Sequence, residues 1–352
     1  MSHSFADFYR GKRVLVTGHT GFEGGWTAAW LKFMGAQVCG FGLPPATRPN
    51  FFDATILDRG MTSVFGDIRD RNSLASTFTE IQPEIVIHSA ARTSPQSCLR
   101  EPVDAFSINV MGTVHILEEA RLTHSVRAIV LMNPDSCSEH DMRSGSESGE
   151  GGPNQLRSAS VASAELARSA FSKTFFQKIG PAVATARTAR AIGGGDWRQG
   201  RIVPDLVRAT MSSQPIPASL EKERKLRIWH VLEPVRGCLL LAKNLFERGQ
   251  KSAGVWDFAP GRDRITASEF IEKFSAFWNA PDDRQINSSA PLASISNSNS
   301  ENTVVDPGWS PLLSAEQALA WTVDWYRGFC SDPASSLKTT HDQIEQYMLL
   351  TS

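Results

Sequence analysis

The amino-acid sequence predicts an α/β fold, a doubly wound parallel sheet carrying a smaller C-terminal α/β lobe. Three observations predict it. Short apolar, β-rich runs alternate with helix-length segments through residues 1–190, and a glycine-rich turn, TGHTGFEGGW, stands between the first run and the first helix. After about Ile192 the chain breaks into shorter pieces, as a second lobe over the strand ends would.

RVLVTG, from Arg13, is a strand stopped by glycine; FEGGWTAAWLKFMG follows as a helix and AQVCGFGL as a second strand. Strand, crossover helix, strand is the unit of a parallel sheet. VFGDIRD, EIVIHSAA, AIVLMN and AVATARTARAIG repeat the strand signature, with helical segments between them. Val103, Phe106, Val110, Val114, Leu117 and Ala120 step by three and four, so VDAFSINVMGTVHILEEARL is expected to be one helix with one apolar face. GGGDW, QPIP and EKERK punctuate the second half. SSAPLASISNSNSEN (288–302) has the composition of a surface loop or connector. In the final helix, SAEQALAWTVDWYRGF, Ser314 precedes Gln317 by three residues, a capping-box spacing.

Bulk properties remove several classes of function. The 352 residues carry 36 basic and 37 acidic side chains, a net charge of −1, and this gives no global field for nucleic acid or an anionic membrane. Any anion must be bound locally. The five cysteines, Cys39, Cys98, Cys137, Cys238 and Cys330, are scattered without a CxxC or HxxxH pair, which points to a reducing cytoplasm and to no structural metal. No run of about 18 apolar residues occurs, and the polar start MSHSFADFYRGKR lacks an apolar signal core, so a soluble cytoplasmic protein is expected.

Gly18, Gly21 and Gly24 lie directly after a strand and at the mouth of a helix, with Thr20 and Phe22 in the same turn. Glycines there let the backbone approach a pyrophosphate, whose charge sits on free N–H groups at the positive helix end. The spacing GxxGxxG is the one used by short-chain dehydrogenases. Asp67 and the amide of Ile68, in GDIRD, could hold an adenine edge, unless Asp67 is an ordinary strand-end residue; Ala90 and Ala91, closing EIVIHSAA, complete the expected cofactor set. No Asp or Glu occurs between Ala36 and Pro45 to grip a ribose diol, and Arg48 lies just beyond. Arg48 could favour a 2′-phosphate, so the expected cofactor is NAD with NADP left open. A Rossmann dinucleotide domain is expected over 1–190 and a mainly substrate-binding lobe over 191–352, with some elements returning to the first.

These residues resemble the extended short-chain dehydrogenase/reductases that act on nucleotide sugars, in particular the CDP-glucose 4,6-dehydratase branch. The resemblance runs through GKRVLVTGHTGFEGGW, GDIRD, QPEIVIHSAA, EPVDAFSINVMGTVHILE, IGGGDW, HVLEP and GWSPLLSAEQALAWTVDWY, almost the whole chain. It implies bound NAD, a nucleotide-sugar ligand in the C-terminal lobe, and a homodimer through helices near 104–122 and 158–178. It further implies hydride removal from sugar C4 by NAD, helped by a tyrosinate, a lysine four residues later and a Ser or Thr after the fifth strand. The lysine is physically required, because ionising a phenol of pKa near 10 at neutral pH needs roughly 3 units, about 4 kcal/mol.

That relay is missing here. Anchored on AEL (Ala164 to Leu166), the tyrosine position falls on Arg157 and the lysine position on Val161. The chain has three tyrosines, Tyr9, Tyr326 and Tyr347, and none begins a YxxxK. At the fifth strand the family's TSDK corresponds to NPDS (Asn133 to Ser136), which places Pro134 at the hydroxyl position and keeps only Asp135. Losing one general base typically costs about 10²–10⁴ in rate, so loss of the set argues against ordinary C4 oxidation. Asp135 and Arg157, a cation able to hold a carboxylate or phosphate, become the catalytic candidates.

By the same resemblance Arg190, Asp196, Trp197, Arg201, Arg227 and His230 are the substrate candidates; guanidinium suits phosphate through paired donors. Arg187 and Arg198 share the region and could equally be solvated or paired. His88 at the end of the fourth strand is either a ligand contact or a hydrogen-bonded core histidine. Cys137 has no partnered histidine evident locally, and SGSESGEGG (144–152) reads as a flexible lid or disordered segment. Two functions stay open: an enzyme with a rebuilt site acting on a nucleotide-sugar-like or other anionic substrate, or an inactive NAD- and nucleotide-binding partner of an active homologue.

Overall fold

The computed structural model describes residues 5–134, 154–177, 179–212, 225–259, 264–280 and 309–350. Its strands are β1 (Arg13–Thr17), β2 (Gln37–Gly42), β3 (Thr62–Phe65), β4 (Ile85–His88), β5 (Ala128–Pro134), β6 (Ala182–Thr188), β7 (Lys225–Leu226), β8 (Gly254–Phe258) and β9 (Ile265–Thr266). Seven of them form one sheet in the order β3-β2-β1-β4-β5-β6-β8, every pair parallel. β7 and β9 form a separate antiparallel pair. Strand order reverses between β1 and β4, where a doubly wound sheet opens a crevice at its carboxyl edge.

Both faces of the sheet are covered, which is why its strands read as unbroken apolar runs. Val14, Val16, Ile85, Ile87, Ala128 and Val130 point into one core, and Leu15, Val86, Ile129 and Leu131 into the other. The alternation is the strand's period of two. In chain order the helices are α1 (Phe5–Tyr9), α2 (Phe22–Phe33), α3 (Phe51–Ala54), α4 (Arg71–Ile81), α5 (Pro95–Arg100), α6 (Pro102–Phe106), α7 (Gly112–Leu122) and α8 (Asn154–Phe171). They continue as α9 (Ile202–Met211), α10 (Leu232–Arg248), α11 (Ala267–Trp278), α12 (Ala315–Ser331) and α13 (Ser336–Leu349).

Two expectations change in detail. The single helix expected across 103–122 is α6 and α7 joined by a π-helical turn, Ser107–Met111, which carries buried Asn109 inward. The strands in VFGDIRD and AVATARTARAIG stop at Phe65 and Thr188, leaving Asp67 and Ala189–Ile192 in the turns beyond the sheet. α10 and β8 come from beyond Ile192, and β8 closes the main sheet beside β6. The Ser314 capping box does form: its side chain accepts from the Gln317 amide, and the Gln317 side chain accepts from the Ser314 amide. The 288–302 and 144–152 tracts and Cys137 lie outside the described residues.

HVLEP is a structural tie. Glu233 is fully buried; its carboxylate accepts from the amides of Leu312 and Leu313 at 2.8 and 2.7 Å and from the Tyr347 hydroxyl, while its carbonyl accepts from Trp309 Nε1. One side chain thus fastens α10 to α13 and to the turn before α12.

Candidate functional site

At the crevice, Gly18 has φ +72, and a Cβ there would meet the Ala90 amide nitrogen at 2.9 Å; a Cβ on Gly24 would lie 2.2 Å from Gly18 O. Only glycine satisfies this packing of loop, helix and neighbouring strand. α2 starts at Gly21 with no side-chain cap, so the first-turn amides are left for an external acceptor.

The loop opens into a cavity of about 140 Å³ lined by Gly18, Gly21, Phe22, Glu23 and Gly24 of the loop and α2, together with Ser89, Ala91, Met132, Arg157 and Thr188–Ala191. Arg157 sits on the buried stripe of α8, with Ser160, Val161, Ala164 and Arg168 at helical spacing. It is only 3% exposed, and its Nε has no hydrogen-bond partner among the described residues. Glu23, the carboxylate of this lining, has its pKa raised by burial, against the lowering pull of Arg198 and Arg201.

A wider cleft of about 640 Å³ adjoins it and shares Thr93, Arg190, Arg198 and Arg201 with the inner cavity. Arg48, Arg100 and Arg208 add further guanidinium groups to its wall. Asp196 holds Arg198 by two bonds of 2.7 Å, and Asp205 pairs with Arg208. Arg201 makes no ion pair among the described residues; burial and the cations of Arg198 and Arg190 push its pKa down to about 10. A guanidinium held among like charges at a cleft mouth favours an arriving anion.

A hydrogen-bond chain ties these walls together. The Ala90 amide donates to Thr17 Oγ1, which bonds His88 Nδ1 at 2.7 Å; His88 Nε2 bonds Thr113 Oγ1, whose hydroxyl donates to Asn109 O. Since Thr113 spends its proton on Asn109, His88 must donate from Nε2 and accept at Nδ1. Burial lowers the His88 pKa to about 4, so the ring is a neutral core connector. Asn109 Nδ2 then bonds Ser160 Oγ at 2.9 Å, and Ser160 donates to Arg157 O at 2.8 Å.

The comparisons agree with this architecture. The model of the "NAD dependent epimerase/dehydratase family" matches residues 14–251. A CDP-glucose 4,6-dehydratase of Salmonella typhimurium is 33% identical over 362 residues, covering 98% of this chain and 99% of the relative. The chain belongs to the NAD dependent epimerase/dehydratase family. Solved structures of similar fold include UDP-glucose 4-epimerase of Thermotoga maritima with UDP-glucose, at TM-score 0.68 and 18% identity, covering 90% of this chain and 99% of that one. Another is the Bordetella bronchiseptica enzyme WbmF with NAD+ and UDP, at TM-score 0.66 and 16% identity, covering 96% and 99%.

The family's cofactor is NAD, and the crowded Gly18–Gly24 cradle with its uncapped helix start fits the dinucleotide's pyrophosphate. Gly18, Gly21, Phe22, Gly24 and Ala91 line the inner cavity, and Ala90 backs Gly18. Thr20 donates instead to Leu43 O at 2.7 Å. Asp67 is gripped by Arg69, which lowers its pKa, and the Ile68 carbonyl bonds His115. Neither Asp67 nor Ile68 lines the cavity.

Of the substrate candidates, Arg190 and Arg201 line both spaces and Trp197 lines the wider one. Asp196 works behind them, pinning Arg198 and accepting the Tyr326 hydroxyl at its carbonyl. Arg227 is exposed and lines neither space. His230, expected at the ligand, is instead fully buried between the edges of Trp26 and Trp321, with a pKa of about 3 from burial. Its neighbours are the aromatic residues of α2 and α12, which the local HVLEP pattern does not reveal. Asp135 lies outside the described residues.

Sequence reasoning missed Glu23, Arg100 and Arg208. For Glu23 a signal existed: its carboxylate falls in the first turn of the helix directly after the glycine motif. Among the described residues no helix is long and apolar enough to cross a membrane.

Proposed function

We propose that this chain holds NAD along the glycine cradle, with part of it in the inner cavity, and an anionic, nucleotide-sugar-like substrate in the arginine-walled cleft, and that it performs a reaction other than ordinary C4 oxidation. The observation that carries this is the place of Arg157. It is buried in the wall of the cofactor cavity at the register where the resemblance puts the tyrosine, and Val161, at the lysine register, is packed in the core. A guanidinium, permanently protonated and without an acceptor lone pair, cannot serve as the proton acceptor that a tyrosinate would be.

The remaining phenols are engaged elsewhere. Tyr9 donates to Leu239 O, Tyr326 to Asp196 O and Tyr347 to Glu233, and none lines either space. Arg157 can instead hold a carboxylate or phosphate, with Asp135 as the candidate acid or base. The relative's printed activity, CDP-glucose 4,6-dehydration, supports the substrate class and not the step.

Homodimerisation and a reducing, cytoplasmic setting belong to the same reading. α6, the π-helical turn, α7 and α8 leave Val103, Met111, Leu122 and Leu166 exposed, an apolar surface suited to a second copy. Cys39, Cys98, Cys238 and Cys330 are free thiols.

Incubation with CDP-glucose and NAD is expected to yield no 4-keto-6-deoxy sugar at ordinary rates; its formation would overturn the reading. Mass spectrometry of the natively purified protein identifies the ligands it carries. A nucleotide-holding partner without turnover is the second reading, since it needs the same cavities. Asp135→Asn separates them: an enzyme loses its turnover, whereas a binder keeps its affinity.

A further inference from the structure

The inner cavity has an asymmetric charge pattern that bears on the oxidation state of its dinucleotide. In a doubly wound sheet the ligand straddles the reversal of strand order, with the adenosine half over the first three strands and the nicotinamide half over the next three. Here those are β3-β2-β1 and β4-β5-β6. Met132 of β5 and Thr188 of β6 line the cavity together with Arg157, so Arg157 belongs to the nicotinamide side. Its burial, with Nε unpartnered among the described residues, keeps its field poorly screened.

The offsetting charge stands on a different element, α2. Glu23 is the carboxylate of the cavity lining, and it stands on the phosphate-loop helix, coupled to Arg198 and Arg201. Arg190, Arg198 and Arg201 add positive charge at the rim, with Asp196 engaged by Arg198. The pyrophosphate is common to both oxidation states and cancels from a comparison between them. What differs is the ring: the oxidised pyridinium carries a positive charge and the dihydropyridine is neutral.

Resting on the NAD-binding reading, we infer that Arg157 makes this pocket select the reduced cofactor, binding NADH more tightly than NAD+. The preference is a property of binding and needs no turnover, so it applies to an enzyme and to a partner protein alike. A pocket biased this way suits a protein that begins its cycle by giving hydride, or one that stores the reduced form.

The test is a pair of titrations on the full chain freed of bound nucleotide, NADH by fluorescence and NAD+ by calorimetry. NADH is expected to bind about tenfold more tightly or better, the order that one poorly screened like charge contributes. Arg157→Gln is expected to shrink the ratio several-fold and Arg157→Lys to keep it, whereas Glu23→Gln, which removes the offsetting carboxylate without touching α8, is expected to widen it. Equal or tighter binding of NAD+ by the unaltered chain, or a ratio unmoved by Arg157→Gln and Glu23→Gln, overturns the inference while leaving NAD binding intact. Binding of neither form overturns the NAD reading itself, and this inference with it.

Discussion

Asn109 Nδ2 donates to Ser160 Oγ at 2.9 Å, and the same side chain accepts from the Arg92 amide at 2.8 Å and donates to the Arg92 carbonyl at 3.0 Å. One amide therefore joins the turn after β4 to α8, three residues from Arg157. Asn109 reaches this position because the π-helical turn rotates it inward from a helix that would otherwise be regular. Such turns often stand at functional sites, and here the turn registers the wall of the inner cavity.

Asn109→Leu removes those bonds at a buried site and leaves the Arg92 amide unpaired. A stability loss of about 1–3 kcal/mol in urea unfolding is expected. NAD affinity should fall with it, since α8 loses its anchor beside Arg157. Unchanged unfolding would show that the link is incidental.

The phosphate loop yields a graded pair. A Cβ at Gly24 would stand 2.2 Å from Gly18 O, whereas at Gly21 the nearest approach is 3.3 Å. Gly24→Ala is expected to weaken NAD binding by about tenfold or more, about 1.4 kcal/mol, and Gly21→Ala by much less. Calorimetric titration of both variants checks the order.

Acid should destabilise this protein through its histidines. Burial lowers His19 and His88 to about 4 and His230 to about 3. Unfolded, each binds a proton below about 6.5, so the unfolded state gains protons first and stability is lost as pH falls from about 6.5 towards these folded values. Each contributes a slope of up to about 1.4 kcal/mol per pH unit. Glu233, raised by burial, works in the opposite sense, favouring the protonated folded form as pH falls. His230→Phe, in a site already walled by Trp26 and Trp321, should flatten the slope between pH 6 and 4.5 by about one proton's share. Urea midpoints across that range measure it.

Val103 and Leu166 are 77% and 71% exposed on α6 and α8. If a second copy covers them, Val103→Asp with Leu166→Glu should convert a dimer to a monomer, with like charges brought together across a two-fold interface. Light scattering at micromolar concentration decides this. A monomer before substitution would end the dimer proposal.

The sheet was legible in the sequence because burial on both faces leaves unbroken apolar runs such as VLV and IVI, and period-two alternation then assigns Leu15 and Val16 to opposite cores. The phosphate loop was legible because Gly18 and Gly24 meet a local steric demand that no other residue satisfies. The absence of a YxxxK was legible as well, since three tyrosines can be checked one by one. What only the tertiary structure decided was where charge is buried. Nothing local distinguishes His230, sealed among tryptophans, from Arg201, set among cations at a cleft mouth, or marks Arg157 as inward and Glu23 as lining the same cavity. A side chain's solvation and field are set by neighbours far away in the chain, and short-range pattern does not encode which of them arrive.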